Sequence, residues 1–545
     1  MLKNLTSTDV LIVGAGPTGL MLANQLGRRG VRAVIIDRHS GPAQQSRAMA
    51  VHARTLEIYS KLGIADRAIE WGFPGTGVNI WSGGRHRARV PFSGVGNGLT
   101  PFPYVLMLGQ DDNERIMGDH LQQYDIGVRW NTELVALDQQ PDGVAATLKQ
   151  PNGSTSMIQA AYVAGCDGGR STVRDLSGIG FPGAAYEHVF FVADTEATGS
   201  MIPGQLNVYL WRGGFHLYFP IRGSNRWRVI GILPEGLQNK PDLRFDELVP
   251  TLIQAGSAGL AFTSCSWFST YRIHHRCTER FRDRRCFLLG DAAHVHSPMG
   301  GQGMNTGLQD AYNLAWKLAL VIAGQAGSGL LDSYEAERAP VAHRLLATTD
   351  RAFQIVVSDH WLAAMFRTRI AGNVAAIALR NKRLQNLLFR TVSQIGISYR
   401  QSPLSQTLTG VGARAPRAGD RFPWLHLRFG ADTGARDLFE ALDDTRFHLL
   451  VMGQPAPTRD QLRCSDLLEI HEIPAHPENL TELARVSISA PAYYLLRPDG
   501  HIGLAGTQVD TAEVKRWFEK AQVNLGTSAR VGARRANEST AAAVY

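Results

Sequence analysis

CFLLGDAAHVHSPMGGQGMNTGLQD, from Cys286 to Asp310, is the stretch from which the rest of the chain can be read. Its first residues, Cys286 to Leu289, are a short apolar run expected as a buried strand, and Gly290 and Asp291 end it. A loop carrying Pro298, Gly300, Gly301 and Gly303 follows, and from about Asn305 the residues read as a helix. Glycine at these positions lets backbone approach a ligand with no Cβ in the way. A helix that begins just after such a loop presents free N–H groups and a partial positive charge. Asp291, at the strand end, is placed to accept from sugar-alcohol hydroxyls. The plain alternative is a tight turn between strand and helix, so the remainder of a ligand site has to come from elsewhere in the chain.

Asp9 to Asp37 supplies it with a βαβ pattern. Val10 to Val13 reads as a strand, Gly14-Ala15-Gly16-Pro17-Thr18-Gly19 as a G-x-G-x-x-G turn, Leu20, Leu22, Ala23 and Leu26 as one helix face, and Val31 to Ile36 as the next strand. The glycines allow a tight turn, approach of a pyrophosphate and close helix packing, while the acid at the strand end, Asp37, can hold ribose hydroxyls. Arg38 follows it and joins the nucleotide-binding set. Ser46 to Gly63 reads as a loop entering an amphipathic helix. There Arg47 can pair with a pyrophosphate through its planar fork, Arg54 is either a second such residue or a helix-surface arginine, and His52 is either a base near a ring cofactor or a packed histidine. Gln110 opens a further helix after a strand at Tyr104 to Leu108, as an adenosine contact or an ordinary cap-region residue. Cys166-Asp167-Gly168-Gly169-Arg170-Ser171-Thr172-Val173-Arg174 is a second acid–glycine turn before a helix, able to hold the other side of a pyrophosphate.

Val128 to Gln150 reads as a meander with hairpin signals at Pro141-Asp142-Gly143 and Pro151-Asn152-Gly153. From Phe181 to about Phe281 the pattern is β-rich: Asn207 to Trp211, Phe215 to Phe219 and Trp227 to Leu233 alternate like sheet strands, with Gly213-Gly214 as a turn. Such a layer, inserted between pieces of a dinucleotide domain, can roof a substrate cavity. Gly303 to Ala371 is helical in pattern, Pro403 to Pro423 marks a boundary, and strands at Phe447 to Met452 and Ala492 to Leu496 precede a helix at Thr511 to Ala521.

A chain of 545 residues with 44% hydrophobic content suggests several domains with ample cores, and a net charge of +8 suits anionic ligands such as a dinucleotide or an acidic phenol. No nucleic-acid partner is expected: the nearest basic run, Arg272 to Arg285, reads as a solvated surface strand and turn. The five cysteines, Cys166, Cys265, Cys277, Cys286 and Cys464, are scattered and lack C-x-x-C spacing, which fits a reducing compartment and leaves no metal centre expected. No charged n-region opens the chain and no apolar run reaches spanning length, Lys317 interrupting the longest candidate, so a cytoplasmic protein without a membrane partner is expected.

GAGPTG at Gly14 to Gly19, CDGGRSTVR at Cys166 to Arg174 and GDAAHVHSPMGGQGMN at Gly290 to Asn305 together resemble the class A flavoprotein monooxygenases, the aromatic hydroxylases of the para-hydroxybenzoate hydroxylase fold. The resemblance covers roughly Asp9 to Ala371, and SRAMAVHARTLE at Ser46 to Glu57 and PMGGQGMN at Pro298 to Asn305 look most like the branch acting on phenols and polycyclic aromatic polyketides. It implies an α/β fold: a Rossmann-like FAD-binding domain of GR2 type (1–75, 104–180 and 282–345), an inserted mixed β-sheet substrate domain (76–103 and 181–281), a helical connection (346–402), a C-terminal thioredoxin-like domain (403–523) and a tail (524–545). Gly412-Ala413-Arg414-Ala415-Pro416 and Leu496-Arg497-Pro498-Asp499-Gly500 carry the thioredoxin-like match. Since Cys464 stands alone there, the use expected of that domain is structural, or support of a homodimer, rather than thiol chemistry.

The same resemblance implies non-covalent FAD, with NADPH or NADH as reductant and dioxygen and an aromatic small molecule as substrates. Asp37 would bind the adenosine ribose; Arg38, Arg47 and Gln110 would line the adenosine and pyrophosphate end; Asp167 and Gly168 belong to an Asp-Gly motif implicated in both FAD and NAD(P)H binding; Asp291 would bind the ribityl and pyrophosphate region; and Pro298, Gly301, Gln302, Gly303, Met304 and Asn305 would pass the isoalloxazine ring. The chemistry implied is hydroxylation through a flavin hydroperoxide, with Baeyer–Villiger or epoxidising chemistry, or a non-catalytic flavin-binding protein, as alternatives. One departure stands out: simple phenol hydroxylases carry an acid where this chain has Met49. The candidates left for catalysis are His52, His216, Tyr218 and, in the loop, Pro298.

Overall fold

Three parallel strands end at one level, and that alignment positions the site. In the computed structural model, which describes residues 6–44, 48–91, 94–211, 214–256, 259–297, 299–357, 381–429 and 434–526, Ser7–Val13 pairs in parallel with Thr155–Gly165, and Thr155–Gly165 with Cys286–Leu288. Val13 lies opposite Gly165, and Gly165 opposite Leu288, so the three motif turns leave the sheet side by side. This carboxyl edge is where open α/β sheets bind ligands. All three strand ends are fully apolar and buried, as a sheet covered on both faces requires. Ala33–Ile36 and Val128–Arg129 extend the sheet on one side, while Glu133–Gln139 and Val144–Lys149 add an antiparallel meander, joined by the hairpins at the two predicted turns.

A second eight-stranded sheet forms the roof. It includes Gly77–Ser82, Gly183–Thr198, Leu206–Trp211, Gly214–Pro220, Arg226–Ile232 and the long strand Ala261–Cys277. Its two faces carry separate cores: Phe191, Tyr209, Tyr218, Val229 and Leu248 on one, and Phe190, Phe215, Ile232 and Ile273 on the other. Arg47, Pro298, Gly213, residues 358–380 of the helical connection and the tail from 527 lie outside the described residues.

The chain divides into two compact units, the first comprising Met1–Met21, Val34–Asp310 and Ala339–Gly396, the second Leu22–Ala33, Ala311–Arg338 and Ile397–Tyr545. The second unit contains a five-stranded sheet in the order Gln406–Thr407, Ile502–Gly506, Ala492–Leu496, Phe447–Met452, Leu468–Ile473. Leu449, Val451 and Trp517 pack on one face of it, Leu450, Met452 and Tyr494 on the other.

Residues 311–338 fall within this second unit, where a buried ionic network ties them to the segment around Arg497. Lys317 donates to Glu337 at 2.7 Å, and Arg497 grips both oxygens of Glu337 at 2.5 and 3.0 Å while also pairing with Asp499. Lys317, which the sequence presents only as an interruption of an apolar helix, has a side chain that is 0% exposed. Burial pushes its ammonium down to about 8, against the pull of Glu337, while Arg497 and Lys317 hold the Glu337 carboxyl below its ordinary value in spite of its burial. Removing one partner of a buried network strands the others. Glu337→Gln, which leaves both Lys317 and Arg497 short of their shared carboxylate, is therefore expected to lower stability by roughly 3–5 kcal/mol, and Lys317→Met, after which Arg497 still pairs with Glu337, by less. Denaturant unfolding followed by fluorescence of Trp316 and Trp517 measures both; a Glu337→Gln cost below about 1 kcal/mol would contradict the account.

Candidate functional site

The three turns interlock because two glycines leave no room for a side chain. A Cβ at Gly19 would lie 1.9 Å from Gly14 O, and one at Gly14 would lie 2.3 Å from Cys166 O. Thr18 closes the third side: a Cβ at Gly290 would meet its Oγ1 at 2.6 Å, and one at Gly307 at 2.4 Å. Gly16 is different. No atom comes within 4 Å of a Cβ built there, so the bare turn at the mouth of helix Pro17–Arg28 borders open space.

That space is a cavity of about 1410 Å³ inside the first unit. It is larger than the roughly 300–1,000 Å³ of a site for one drug-sized ligand. One end is polar, lined by Gly16, Thr18, Arg38, His39, Gln110, Asp167, Arg170 and Asp291; the other is apolar, lined by Val78, Leu206, Val208, Leu210, Phe215, Leu217, Phe219 and Ile230. Met49, His52 and Gly300–Met304 lie on the wall as well.

At the polar end, Asp37 Oδ2 accepts from Ala15 N at 2.8 Å and Oδ1 from His39 N at 2.8 Å, so the carboxylate braces the glycine turn. Gln110 Nε2 donates to Glu114 Oε1 at 2.9 Å. Asp167 Oδ2 accepts from Thr172 N at 2.7 Å and Val173 N at 3.2 Å, while Oδ1 is buried with no partner among the described residues. Burial raises the Asp167 carboxyl above its ordinary value. A buried carboxylate oxygen without a donor is costly unless a ligand supplies one. The open turn at Gly16, this oxygen and the cavity's size together fit FAD.

Asn305 holds the glycine loop in place. Its Oδ1 accepts from His52 N at 2.9 Å and Thr55 Oγ1 at 2.8 Å, and its Nδ2 donates to Ala50 O at 2.8 Å and Gly301 O at 2.9 Å. It is itself fully buried. Gly301 has φ +62°, and a Cβ there would strike Ala50 Cβ at 2.7 Å, so both conformation and space demand glycine. His52 adds a further tie, with Nε2 2.9 Å from Gly300 O. A carbonyl can only accept, so Nε2 carries the proton and the lone pair is on Nδ1, which is buried with no partner among the described residues. Burial drives the His52 ring down to about 4 in spite of the Gly300 carbonyl, which makes it a weak base at neutral pH and a brace for the loop. His296, which sequence reasoning passed over, also lines the wall: its Nδ1 lies 2.8 Å from Ser297 O, its Nε2 is buried with no partner among the described residues, and burial brings it to about 4.

His216 and Tyr218 are not at the cavity. Strand alternation sends Phe215, Leu217 and Phe219 into it and turns the residues between them to the opposite face, where Tyr218 packs edge-on against Tyr209, and His216 lies beside Phe191 and Trp211. Burial lowers His216 to about 3 and raises the Tyr218 phenol, so neither is poised to take a proton. Arg54 is neither a phosphate ligand nor a surface residue: it is buried against Glu57, 2.9 Å away. The run from Arg272, expected as solvated, sends Ile273, His274 and Arg276 to the cavity wall. Behind Met49, Arg228 Nη1 lies 3.1 Å from its sulfur and pairs with Asp194 through two contacts of 2.6 Å.

Two expectations follow. Asn305→Ala removes four hydrogen bonds around the loop and should weaken FAD binding by about 2–4 kcal/mol while the chain stays folded; unchanged affinity in equilibrium flavin titrations would contradict the bracing role. His52 and His296 titrate near 4 when folded and 6.5 when free, so between these pH values the unfolded chain binds more protons. The stability each ring contributes is complete above pH 6.5 and is lost as pH falls toward 4, by an amount on the order of 3 kcal/mol per ring. His52→Asn, which keeps a donor for Gly300 O, should flatten the fall in unfolding midpoint across that window; an unaltered slope would count against it.

Comparison with known proteins bears on the same region. The model of the FAD binding domain family matches residues 7–349. The chain is 34% identical over 513 residues to 6-methylpretetramide 4-monooxygenase of Streptomyces rimosus, covering 92% of this chain and 91% of that one. It is 32% identical to pentachlorophenol 4-monooxygenase of Sphingobium chlorophenolicum, covering 90% and 86%. Among solved structures, the ternary complex of aklavinone-11 hydroxylase with FAD and aklavinone superposes with a TM-score of 0.77 at 26% identity, covering 94% and 99%. With its glycine turns, its buried unpartnered Asp167 oxygen and its two-ended cavity, the chain belongs to the FAD-binding-domain family of class A flavoprotein aromatic hydroxylases and is an FAD-dependent aromatic monooxygenase.

Proposed function

We propose that this monooxygenase hydroxylates a multi-ring phenol of the aromatic polyketide type, with NADPH or NADH as reductant. The observation that carries this reading is the apolar end of the cavity: Leu206, Val208 and Leu210 on one strand and Phe215, Leu217 and Phe219 on the next make a broad hydrophobic roof continuous with the polar end. Relatives named for 6-methylpretetramide and aklavinone support a substrate of that size.

Bound FAD would supply hydride acceptance and activation of dioxygen. The chain would supply the rest. Helix Pro17–Arg28 and the Gly16 turn would hold the pyrophosphate, and Asp37 the ribose. The loop Gly300–Gly303, pinned by Asn305 and His52, would set the edge along which the flavin lies. The roof would exclude water and orient the aromatic ring. With Met49 where simple phenol hydroxylases carry an acid, and His52 too weak a base, neither of these two positions supplies a base for the phenol; the substrate would bring its own acidity, as polyhydroxylated fused rings do. The mixed sheet of the second unit, with cores on both faces and the lone Cys464, supports a thioredoxin-like domain in a structural role.

Labelled dioxygen and a panel of monocyclic and polycyclic phenols test the proposal. One labelled oxygen should appear on an aromatic carbon of a polycyclic phenol, with NAD(P)H consumed in step. Oxygen inserted between a ring carbon and a carbonyl would establish Baeyer–Villiger chemistry instead, and turnover of monocyclic phenols alone would refute the size argument. Leu217→Trp, which fills the roof, should cut kcat/KM for the polycyclic substrate by roughly ten-fold or more with FAD content unchanged.

A further inference from the structure

We propose that His448, Glu469 and His471 form a Zn²⁺ site in the second unit, where the sequence alone gives no reason to expect a metal. The three residues come from the paired strands Phe447–Met452 and Leu468–Ile473, which run parallel with His448 opposite Glu469 and Leu450 opposite His471. Parallel register and a period of two bring all three side chains to one face. His448 Nδ1 lies 3.0 Å from His471 Nε2 and 3.5 Å from Glu469 Oε2, and His471 Nε2 lies 3.7 Å from that same oxygen.

These separations bracket the spacing of ligands around a single small metal ion. Ligands about 2.0–2.2 Å from a tetrahedral zinc stand roughly 3.3–3.6 Å apart, whereas neighbouring positions of an octahedron of that size are about 2.8–3.1 Å apart. Two of the three distances exceed the octahedral value, which favours a tetrahedral ion. Two imidazole nitrogens and one carboxylate are a donor set for zinc rather than for magnesium or calcium, which take oxygen.

The surroundings orient the donors. His448 Nε2 lies 2.7 Å from Asp443 O, so that nitrogen carries the proton and Nδ1 offers its lone pair toward the other two residues. Arg446 Nη1 holds Glu469 Oε1 at 2.6 Å and leaves Oε2 to the cluster. Phe429 meets the His471 ring edge-on with centroids 5.5 Å apart, fixing its plane. The side chains are 3%, 17% and 26% exposed for His448, His471 and Glu469, which leaves an entry path and room for a water as fourth ligand. The 3.0 Å between the two nitrogens also admits one shared proton, given by His471 Nε2–H to His448 Nδ1; when a metal ion takes its place that proton moves to His471 Nδ1, so the ring ligates as a neutral imidazole.

The test uses the tag-free, FAD-loaded full chain. Zn²⁺ titrated in competition with a chromophoric chelator should bind one equivalent, and Co²⁺ in its place should show the intense visible bands of a tetrahedral ion. His448→Ala should weaken Zn²⁺ binding at least ten-fold, as should His471→Gln, a milder change at a half-buried position. Zn²⁺ should raise the thermal midpoint of the wild type and leave that of His471→Gln unmoved, with FAD content as the check on folding in each variant. Failure of the wild type to compete with the chelator would overturn the proposal. So would a variant that holds FAD and binds Zn²⁺ with the same stoichiometry and affinity, or weak octahedral Co²⁺ bands.

Discussion

The nucleotide end depends on how close one helix can come to one strand. Helix Pro17–Arg28 sits against the turn after Ser7–Val13 so tightly that a single Cβ at Gly19 would overlap the Gly14 carbonyl. That proximity brings the first helical N–H groups to the cavity, leaves Gly16 bare beside it, and lets Thr18 reach Gly290 and Gly307. Three segments separated by more than a hundred residues thus share one edge, because the strands that deliver them end in register.

A second constraint acts at the boundary between the polar and apolar ends. The glycine loop needs left-handed backbone at Gly300 and Gly301, which costs conformational entropy, and these two residues have no side chains with which to fix it. Asn305 and His52 offset this with hydrogen bonds from two other elements, the strand Ala50–Val51 and the helix Ala53–Leu62. The loop is thereby rigid without being bulky, a useful property for a wall that a planar ring has to pass.

The parts legible in the sequence are those where residue identity alone dictates conformation. The glycine and aspartate positions of the three turns could be placed because few other residues tolerate those turns, and the roof strands because alternation marks them to within a residue or two. Alternation does not say which face meets a ligand. Phe215, Leu217 and Phe219 are no more apolar than the core they back onto, so the sequence pattern does not show that His216 and Tyr218 face away from the cavity. Long-range pairing was equally hidden. Nothing near Lys317 announces Arg497, and the Glu469-x-His471 alternation acquires meaning only when His448 is set beside it by strand pairing.

The central claim is that one cavity holds the flavin at its polar end and a multi-ring phenol against the roof. A crystal structure of the chain with FAD and a polycyclic phenol tests it most directly. The account predicts the pyrophosphate at Gly16 and the start of helix Pro17–Arg28, the flavin alongside Gly300–Asn305, and the phenol in contact with Leu217 and Phe219. A phenol bound outside this cavity, or on the face of the roof sheet that carries His216 and Tyr218, would contradict it.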